Sequence, residues 1–227
     1  MTELLISVTN VDEAFMAMEL GADIIDLKDP SMGALGALPI QTIKDILGVV
    51  NSQKIVSATI GDIGMQPQLL FPAVAALVKL NVDYIKIGFL PSDDTQLCLD
   101  VLQPFILSGA KLIAVLFAEC RYDADLIKTI KVVGFIGIML DTAEKNGLSL
   151  FDHFTQQQCE ILSQQVLGLD LVLGLAGSLK LEHIAQAKTI KPNYIGFRGG
   201  VCLNNQRQLV LDPNKILAIR HALSFVV

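Results

Sequence analysis

Short apolar segments alternate with longer amphipathic segments along the whole chain. The apolar segments have the length of buried β-strands, and the longer segments repeat apolar positions at helical spacing. The predicted strands cover residues 4–9, 23–28, 54–61, 83–89, 111–118, 137–143, 170–177 and 194–200. Two of the helical stripes are formed by Val11, Ala14, Phe15 and Met18 and by Leu70, Val74, Leu77 and Val78. This alternation predicts a parallel sheet with helices packed outside it.

The repeat length favours one closed barrel. A strand and its helix recur roughly every 25 to 30 residues, and no linker, charge block or low-complexity segment interrupts the series. We therefore predict an α/β fold in which residues 1–227 form a single (β/α)₈ TIM barrel. The alternative is an open doubly wound sheet, but no G-x-G-x-x-G turn follows the first strand.

Composition narrows the classes of partner. The net charge of −6 and the lack of a basic stripe argue against nucleic acid or an anionic membrane surface. Apolar runs end at a charge, Gly or Pro before about 18 residues, so no membrane span is predicted. The four cysteines form no C-x-x-C pair and the three histidines are isolated, so we expect neither disulfides nor a metal site. We expect a cytoplasmic protein, and the sequence leaves a homo-oligomer open.

Charged residues occur late in several predicted strands. In such barrels the active site lies at the carboxyl ends of the strands. Asp26 and Lys28 are two residues apart, so strand alternation directs both to the same side, which we expect to be the barrel interior. Lys86 and Asp141 occupy corresponding late positions, and Lys145 follows in the next loop. The sequence therefore predicts a cluster of lysines and aspartates at one mouth.

The cluster has a structural and a chemical interpretation. It could be an ion-pair network, because buried charges need partners. Alternatively, two lysines in a partly buried site repel each other, which lowers the pKa of one and leaves a free amine that can attack a carbonyl. Nearby aspartates could orient the ammonium and move protons. This second interpretation favours Schiff-base chemistry.

The ends of the last two strands suggest an anion site. In these barrels a phosphate often binds between the loops that follow strands seven and eight. The candidate residues are Gly177, Ser178, Arg198, Gly199 and Gly200. Backbone N–H groups at the glycines would hold phosphate oxygens, and the arginine would add a bidentate donor. The glycines could instead simply end strands.

A glycine-rich segment follows the second predicted strand. Residues 29–37 contain Gly33, Gly36 and two alanines. Such a segment suits a flexible lid or a close approach of backbone to ligand, and it is equally acceptable as a plain connector.

Several of these segments carry a family resemblance that extends over essentially the full chain. The matching residues are 21–30, 33, 35–37, 56–62, 83–88, 139–147, 150–152, 175–180 and 198–200. In these segments the chain resembles the (5-formylfuran-3-yl)methyl phosphate synthases of methanofuran biosynthesis. The region 116–122 departs from the family pattern and looks shorter, which puts substrate positioning there in doubt.

The resemblance implies a reaction and a set of roles. Two molecules of glyceraldehyde 3-phosphate would condense, with loss of phosphate and water, to the phosphorylated furan aldehyde. Lys28 would form the Schiff base and Lys86 would accept protons, with Asp26, Asp141 and Lys145 assisting. The resemblance implies no cofactor and no metal. A class I aldolase acting on another phosphorylated sugar and a non-catalytic phosphosugar-binding barrel are the alternatives.

Overall fold

The chain forms a closed barrel of eight parallel strands, which confirms the predicted fold. The computed structural model describes residues 2–225, and the strands pair in chain order, with β8 closing onto β1. The strands are β1 (Glu3–Val8), β2 (Ile24–Leu27), β3 (Ile55–Thr59), β4 (Tyr84–Phe89), β5 (Leu112–Phe117), β6 (Gly137–Asp141), β7 (Val172–Leu175) and β8 (Tyr194–Phe197).

Helices alternate with the strands and cover the outside of the barrel. They are α1 (Val11–Glu19), α2 (Ile40–Val50), α3 (Pro67–Val78), α4 (Thr95–Leu107), α5 (Leu126–Val133), α6 (Leu150–His153), α7 (Gln156–Leu167), α8 (Ile184–Thr189) and α9 (Pro213–Ser224). Short 3₁₀ turns follow β2 at Pro30–Met32 and β8 at Gly199–Val201. Within residues 2–225, no helix combines the length and the apolar character that crossing a membrane requires.

A repeated side-chain contact sets where several strands begin. Asp23, Asp83 and Asn193 each lie just before a strand, and each accepts a 2.8 Å hydrogen bond from a backbone N–H of the preceding strand. A short acceptor at this position satisfies a backbone donor at the amino end of the barrel. These contacts fix the stagger between neighbouring strands.

Several strands end earlier than their apolar patterns predict. β7 spans Val172–Leu175, not 170–177, and β8 ends at Phe197, not at residue 200. Gly177 and Ser178 have positive φ angles, which no strand accommodates. The residues that follow β7 and β8 therefore belong to the loops at the barrel mouth.

The structure confirms one predicted helical stripe and corrects the other. Leu70, Val74 and Leu77 of α3 are buried as expected. In α1 the prediction for Phe15 was wrong, because its side chain is 55% exposed while Glu13 and Ala17 are buried. Small alanines let α1 approach the barrel closely, and Glu13 is buried because it has a cationic partner, Arg198, inside the fold.

The segment 29–37 is packed into the barrel mouth. Leu35 is 1% exposed and reaches the barrel interior, where it lies against Gly88 and clusters with Phe117. Its backbone N–H donates to Asp62, and a Cβ at Gly33 would lie 1.8 Å from an Asp62 carboxylate oxygen. This packing favours a fixed cover over one side of the mouth.

Candidate active site

A cavity of about 550 Å³ opens at the carboxyl ends of the strands, on the side that the segment 29–37 leaves uncovered. Its wall comes from β1, β6 and β8, from Lys28 just after β2, and from the loops after β6, β7 and β8. Its volume is typical of a site for small molecules. The location is the one that the barrel fold predicts for an active site.

Asp26 forms the centre of a buried hydrogen-bond network. Strand register places Ser7 and Ser57 on either side of it, and both hydroxyls donate to its carboxylate at 2.7 Å. The ammonium of Lys86 lies 2.5 Å from the same carboxylate. Burial acts to raise the pKa of Asp26, but the charges of Lys86 and Lys28 and these hydrogen bonds hold it below its usual value.

Lys28 has the chemistry of a nucleophilic amine. Its side chain lines the cavity, and its Nζ lies 3.9 Å from Oδ2 of Asp141. Burial is the largest cause that lowers the pKa of Lys28; Asp141 and Asp26 oppose it, Lys86 and Lys145 add to it, and together these effects bring the pKa to about 8. Near neutral pH a useful fraction of this lysine is therefore the free amine.

Asp141 ends β6 and binds the second lysine of the mouth. Its Oδ1 accepts hydrogen bonds from the Lys145 ammonium at 2.9 Å and from the Thr142 backbone N–H at 2.7 Å. Burial acts to raise the pKa of Asp141, but Lys145 and Lys28 together bring it to about 2. Asp141 is therefore a permanent anion beside Lys28 at physiological pH.

The structure brings the five predicted residues Asp26, Lys28, Lys86, Asp141 and Lys145 together. They form two layers, in which the Asp26 and Lys86 pair is almost fully buried while the other three line the cavity. Lys28 belongs to the layer that lines the cavity, and charges in both layers act on its pKa.

The predicted anion site presents unpaired backbone donors. Gly177, Ser178, Gly199 and Gly200 line the cavity, and their N–H groups have no acceptor among residues 2–225. A Cβ at Gly200 would lie 2.3 Å from the carbonyl oxygen of Leu179, so the loops after β7 and β8 approach closely only because glycine is present. Backbone N–H groups without an acceptor inside the protein can bind the oxygens of a phosphate.

Arg198 differs from the expectation for a phosphate ligand. Its Nη1 and Nη2 bind the carboxylate of Glu13, and they also donate to the backbone carbonyls of Ser7 and Leu209. Its Nε donates to the carbonyl oxygen of Arg207 at 2.8 Å. All five N–H groups of Arg198 are thus used within the protein. The guanidinium organises the loop after β8 and has no donor left for a ligand in this arrangement.

Comparison with known sequences identifies the family. A sequence model described as 4-HFC-P synthase matches residues 4–220. The chain belongs to this family. Among its relatives, (5-formylfuran-3-yl)methyl phosphate synthase of Methanococcus maripaludis strain C5 is 33% identical over 216 residues, which cover 90% of this chain and 91% of the relative. The synthase of Methanosarcina acetivorans is 31% identical over 219 residues, covering 92% and 94%.

Another relative matches this chain over almost the same length. A protein of Methylorubrum extorquens, which bears the synthase name as a provisional assignment, is 37% identical over 213 residues. The match covers 94% of this chain and 88% of the relative. The resemblance seen in the sequence is therefore confirmed at the level of the family.

Solved structures confirm the architecture. Phosphoribosyl anthranilate isomerase of Thermus thermophilus superposes with a TM-score of 0.70 at 12% identity, with 98% of each chain covered. 3-Hexulose-6-phosphate synthase of Salmonella typhimurium gives a TM-score of 0.65 at 14% identity, again with 98% of each chain covered. At these identities the likeness shows the barrel fold alone.

Sequence reasoning did not identify several polar residues at the mouth of the barrel. Ser7 and Ser57 hold Asp26, and Glu13 holds Arg198. The serines carried a signal, because alternation places each one level with Asp26 in its strand. Glu13 carried none, since its partner is distant in sequence.

Proposed function

We propose that the chain is a (5-formylfuran-3-yl)methyl phosphate synthase that condenses two molecules of glyceraldehyde 3-phosphate. Atom balance requires one phosphate and two waters to leave. The observation that carries the proposal is the amine of Lys28, which lines the cavity with its pKa lowered to about 8 between two buried aspartates. Family membership and the names of the relatives support the same product.

The reaction begins on Lys28. Its free amine attacks the aldehyde carbon of one triose phosphate, and the carbinolamine then loses water to give an iminium. The iminium withdraws electrons from the neighbouring carbon, so its proton becomes removable without a metal or organic cofactor. Asp141, which stays ionised beside Lys28, stabilises the positive charge of the iminium.

The Asp26 and Lys86 pair supplies the proton transfers. Lys86 begins as an ammonium bound to Asp26 and donates its proton to the departing hydroxyl of the carbinolamine. The neutral amine left behind is then the base that removes the proton next to the iminium, forming an enamine. The enamine attacks the aldehyde of the second triose phosphate. Lys86 thus acts as an acid before it acts as a base, which accounts for its ion pair.

The backbone donors after β7 and β8 hold a substrate phosphate. The N–H groups of Gly177, Ser178, Gly199 and Gly200 line the same cavity as Lys28. A phosphate held there places the aldehyde end of a short triose toward the amine. The fixed geometry of these loops favours binding, because little ordering is needed when the ligand arrives.

Product analysis tests the proposal. Purified protein incubated with glyceraldehyde 3-phosphate should produce a furan chromophore together with inorganic phosphate. Lys28→Arg should abolish both signals, because a guanidinium stays protonated and cannot attack a carbonyl. Lys79→Arg is the control, since this exposed lysine follows α3 away from the cavity. A hexose phosphate without furan would support the aldolase alternative and overturn the proposal.

A further inference from the structure

Arg207 lies in the loop after β8 and crosses the mouth of the cavity. Its Nη2 donates to the carbonyl oxygen of Gly33 in the segment after β2, on the opposite side of the mouth. The cavity wall includes Arg207 together with Ser178 and Gly199. A Cβ built on Gly199 would lie 3.8 Å from the Cβ of Arg207. Arg207 is therefore adjacent to the backbone donors of the proposed phosphate site.

The guanidinium of Arg207 is only partly satisfied within the protein. Its Nε is buried without a hydrogen-bond partner, and its Nη1 has no acceptor among residues 2–225. Within the same part of the chain no carboxylate lies within 4.0 Å of it, whereas Arg198 pairs with Glu13 and Arg220 pairs with Asp23. Burial lowers the pKa of Arg207, although the charges of Asp141, Asp62 and Asp29 oppose the shift. A partly buried cation with no carboxylate in contact is costly, and an anionic ligand would reduce that cost.

A buried ion pair holds Arg207 in place. Glu13 binds Arg198, and Arg198 donates to the backbone carbonyl oxygens of Arg207 and Leu209. The loop that carries Arg207 is therefore attached to α1 through two buried charges. Arg198 thus uses all its N–H groups within the protein, whereas Nε and Nη1 of Arg207 have no acceptor among the described residues.

We propose that Arg207 is the side chain that binds the substrate phosphate in this cavity, and that Glu13 and Arg198 are positioning residues that act through it. The inference rests on the proposed function for the identity of the phosphorylated substrate. The phosphate oxygens accept hydrogen bonds from Nε and Nη1 of Arg207 on one side. On the other side they accept hydrogen bonds from the backbone N–H groups of the loops after β7 and β8. Phosphorylated aldehydes are thereby selected over unphosphorylated ones.

Inorganic phosphate is the first probe, and calorimetry of the full chain measures its affinity. Arg207→Gln keeps a side-chain donor for Gly33 but removes the charge, so phosphate should bind about ten- to a hundredfold more weakly. Arg207→Lys should recover part of the loss. Gln208→Ala is the control, because this exposed residue lines the same cavity. Affinity of Arg207→Gln within about twofold of the unaltered protein would overturn the proposal.

Borohydride trapping supplies a second measurement. The unaltered protein should trap glyceraldehyde 3-phosphate at much lower concentration than unphosphorylated glyceraldehyde. Arg207→Gln should lose most of this preference, because its trapping of glyceraldehyde 3-phosphate should fall far more than its trapping of glyceraldehyde. An unchanged preference would overturn the proposal. Neither measurement requires furan formation, so failure of the proposed function would appear separately, as unaltered protein that makes no furan.

A double-mutant cycle tests the positioning role. Glu13→Gln should weaken phosphate binding in the unaltered protein, because Arg198 then loses its charged partner and the loop loosens. The same change should add nothing in the Arg207→Gln background if Glu13 acts through Arg207. Equal and additive losses in both backgrounds would overturn the positioning role.

Discussion

The ammonium of Lys86 lies 2.5 Å from the carboxylate of Asp26, and the two side chains are 1% and 0% exposed. Removing one partner of such a pair leaves a buried charge without compensation. Asp26→Asn should therefore lower the free energy of unfolding by about 3–5 kcal/mol, measured by urea denaturation. Asp125→Asn breaks the exposed pair with Lys128 and should leave stability unchanged. Equal effects of the two substitutions would contradict this description of the pair.

Lys86→Arg separates Schiff-base formation from the proton transfers that follow. Arginine keeps the positive charge next to Asp26 but cannot become a neutral base. The variant should fold and retain some borohydride-trappable substrate, while furan formation falls by about 10² or more. Lys28→Arg should lose both signals. If Lys86→Arg makes furan within about tenfold of the normal rate, the base is another group, and Asp141 or Asp26 becomes the candidate.

The pH dependence of trapping reports the ionisation of Lys28. Because the free amine is the nucleophile, the rate should fall about tenfold for each pH unit below the pKa of about 8. Asp141 stabilises the ammonium and Lys145 destabilises it. Asp141→Asn should therefore move the pH at which the trapping rate begins to fall to a lower value, and Lys145→Met should move it to a higher value. Shifts in the same direction would contradict the assigned electrostatics.

Gly33 and Gly109 form a matched pair for the packing of the segment 29–37. Both have φ near +97°, but a Cβ at Gly33 would strike Asp62 whereas Gly109 has nothing within 4 Å. Gly109→Ala should cost about 1 kcal/mol of stability from backbone strain alone. Gly33→Ala should cost about 1–3 kcal/mol more, measured by urea denaturation, and should also reduce trapping. Equal losses of stability would indicate that the segment is free to move.

The fold and the five charged residues could be predicted because the signals are local. Strand alternation alone directs Asp26 and Lys28 to one side, and the barrel fold then brings Lys86 and Asp141 to the same mouth. The division of roles between the two lysines did not follow from strand alternation and was implied only by the family resemblance. Lys28 and Lys86 occupy similar late positions in their strands, and only the packed structure shows that Lys86 is held by Asp26 while Lys28 faces the cavity.

The roles of Arg198 and Arg207, which both follow β8, could not be predicted from sequence patterns either. Arg198 matches the expected position of a phosphate ligand, but Glu13 occupies its guanidinium from a helix near the other end of the chain. Such a pairing leaves no local pattern, because a glutamate on an amphipathic helix ordinarily faces water. Arg207 lies in an irregular loop, where neither strand nor helix periodicity indicates the direction of a side chain.

The central claim is that Lys28 attacks the aldehyde of glyceraldehyde 3-phosphate. The most direct test is borohydride reduction of the protein with this substrate, followed by tryptic mapping of the modified lysine. We expect a reduced triose phosphate adduct on Lys28, formed more readily at pH 8 than at pH 6 and lost in Lys28→Arg. An adduct found only on another lysine, such as Lys86 or Lys145, would contradict the account.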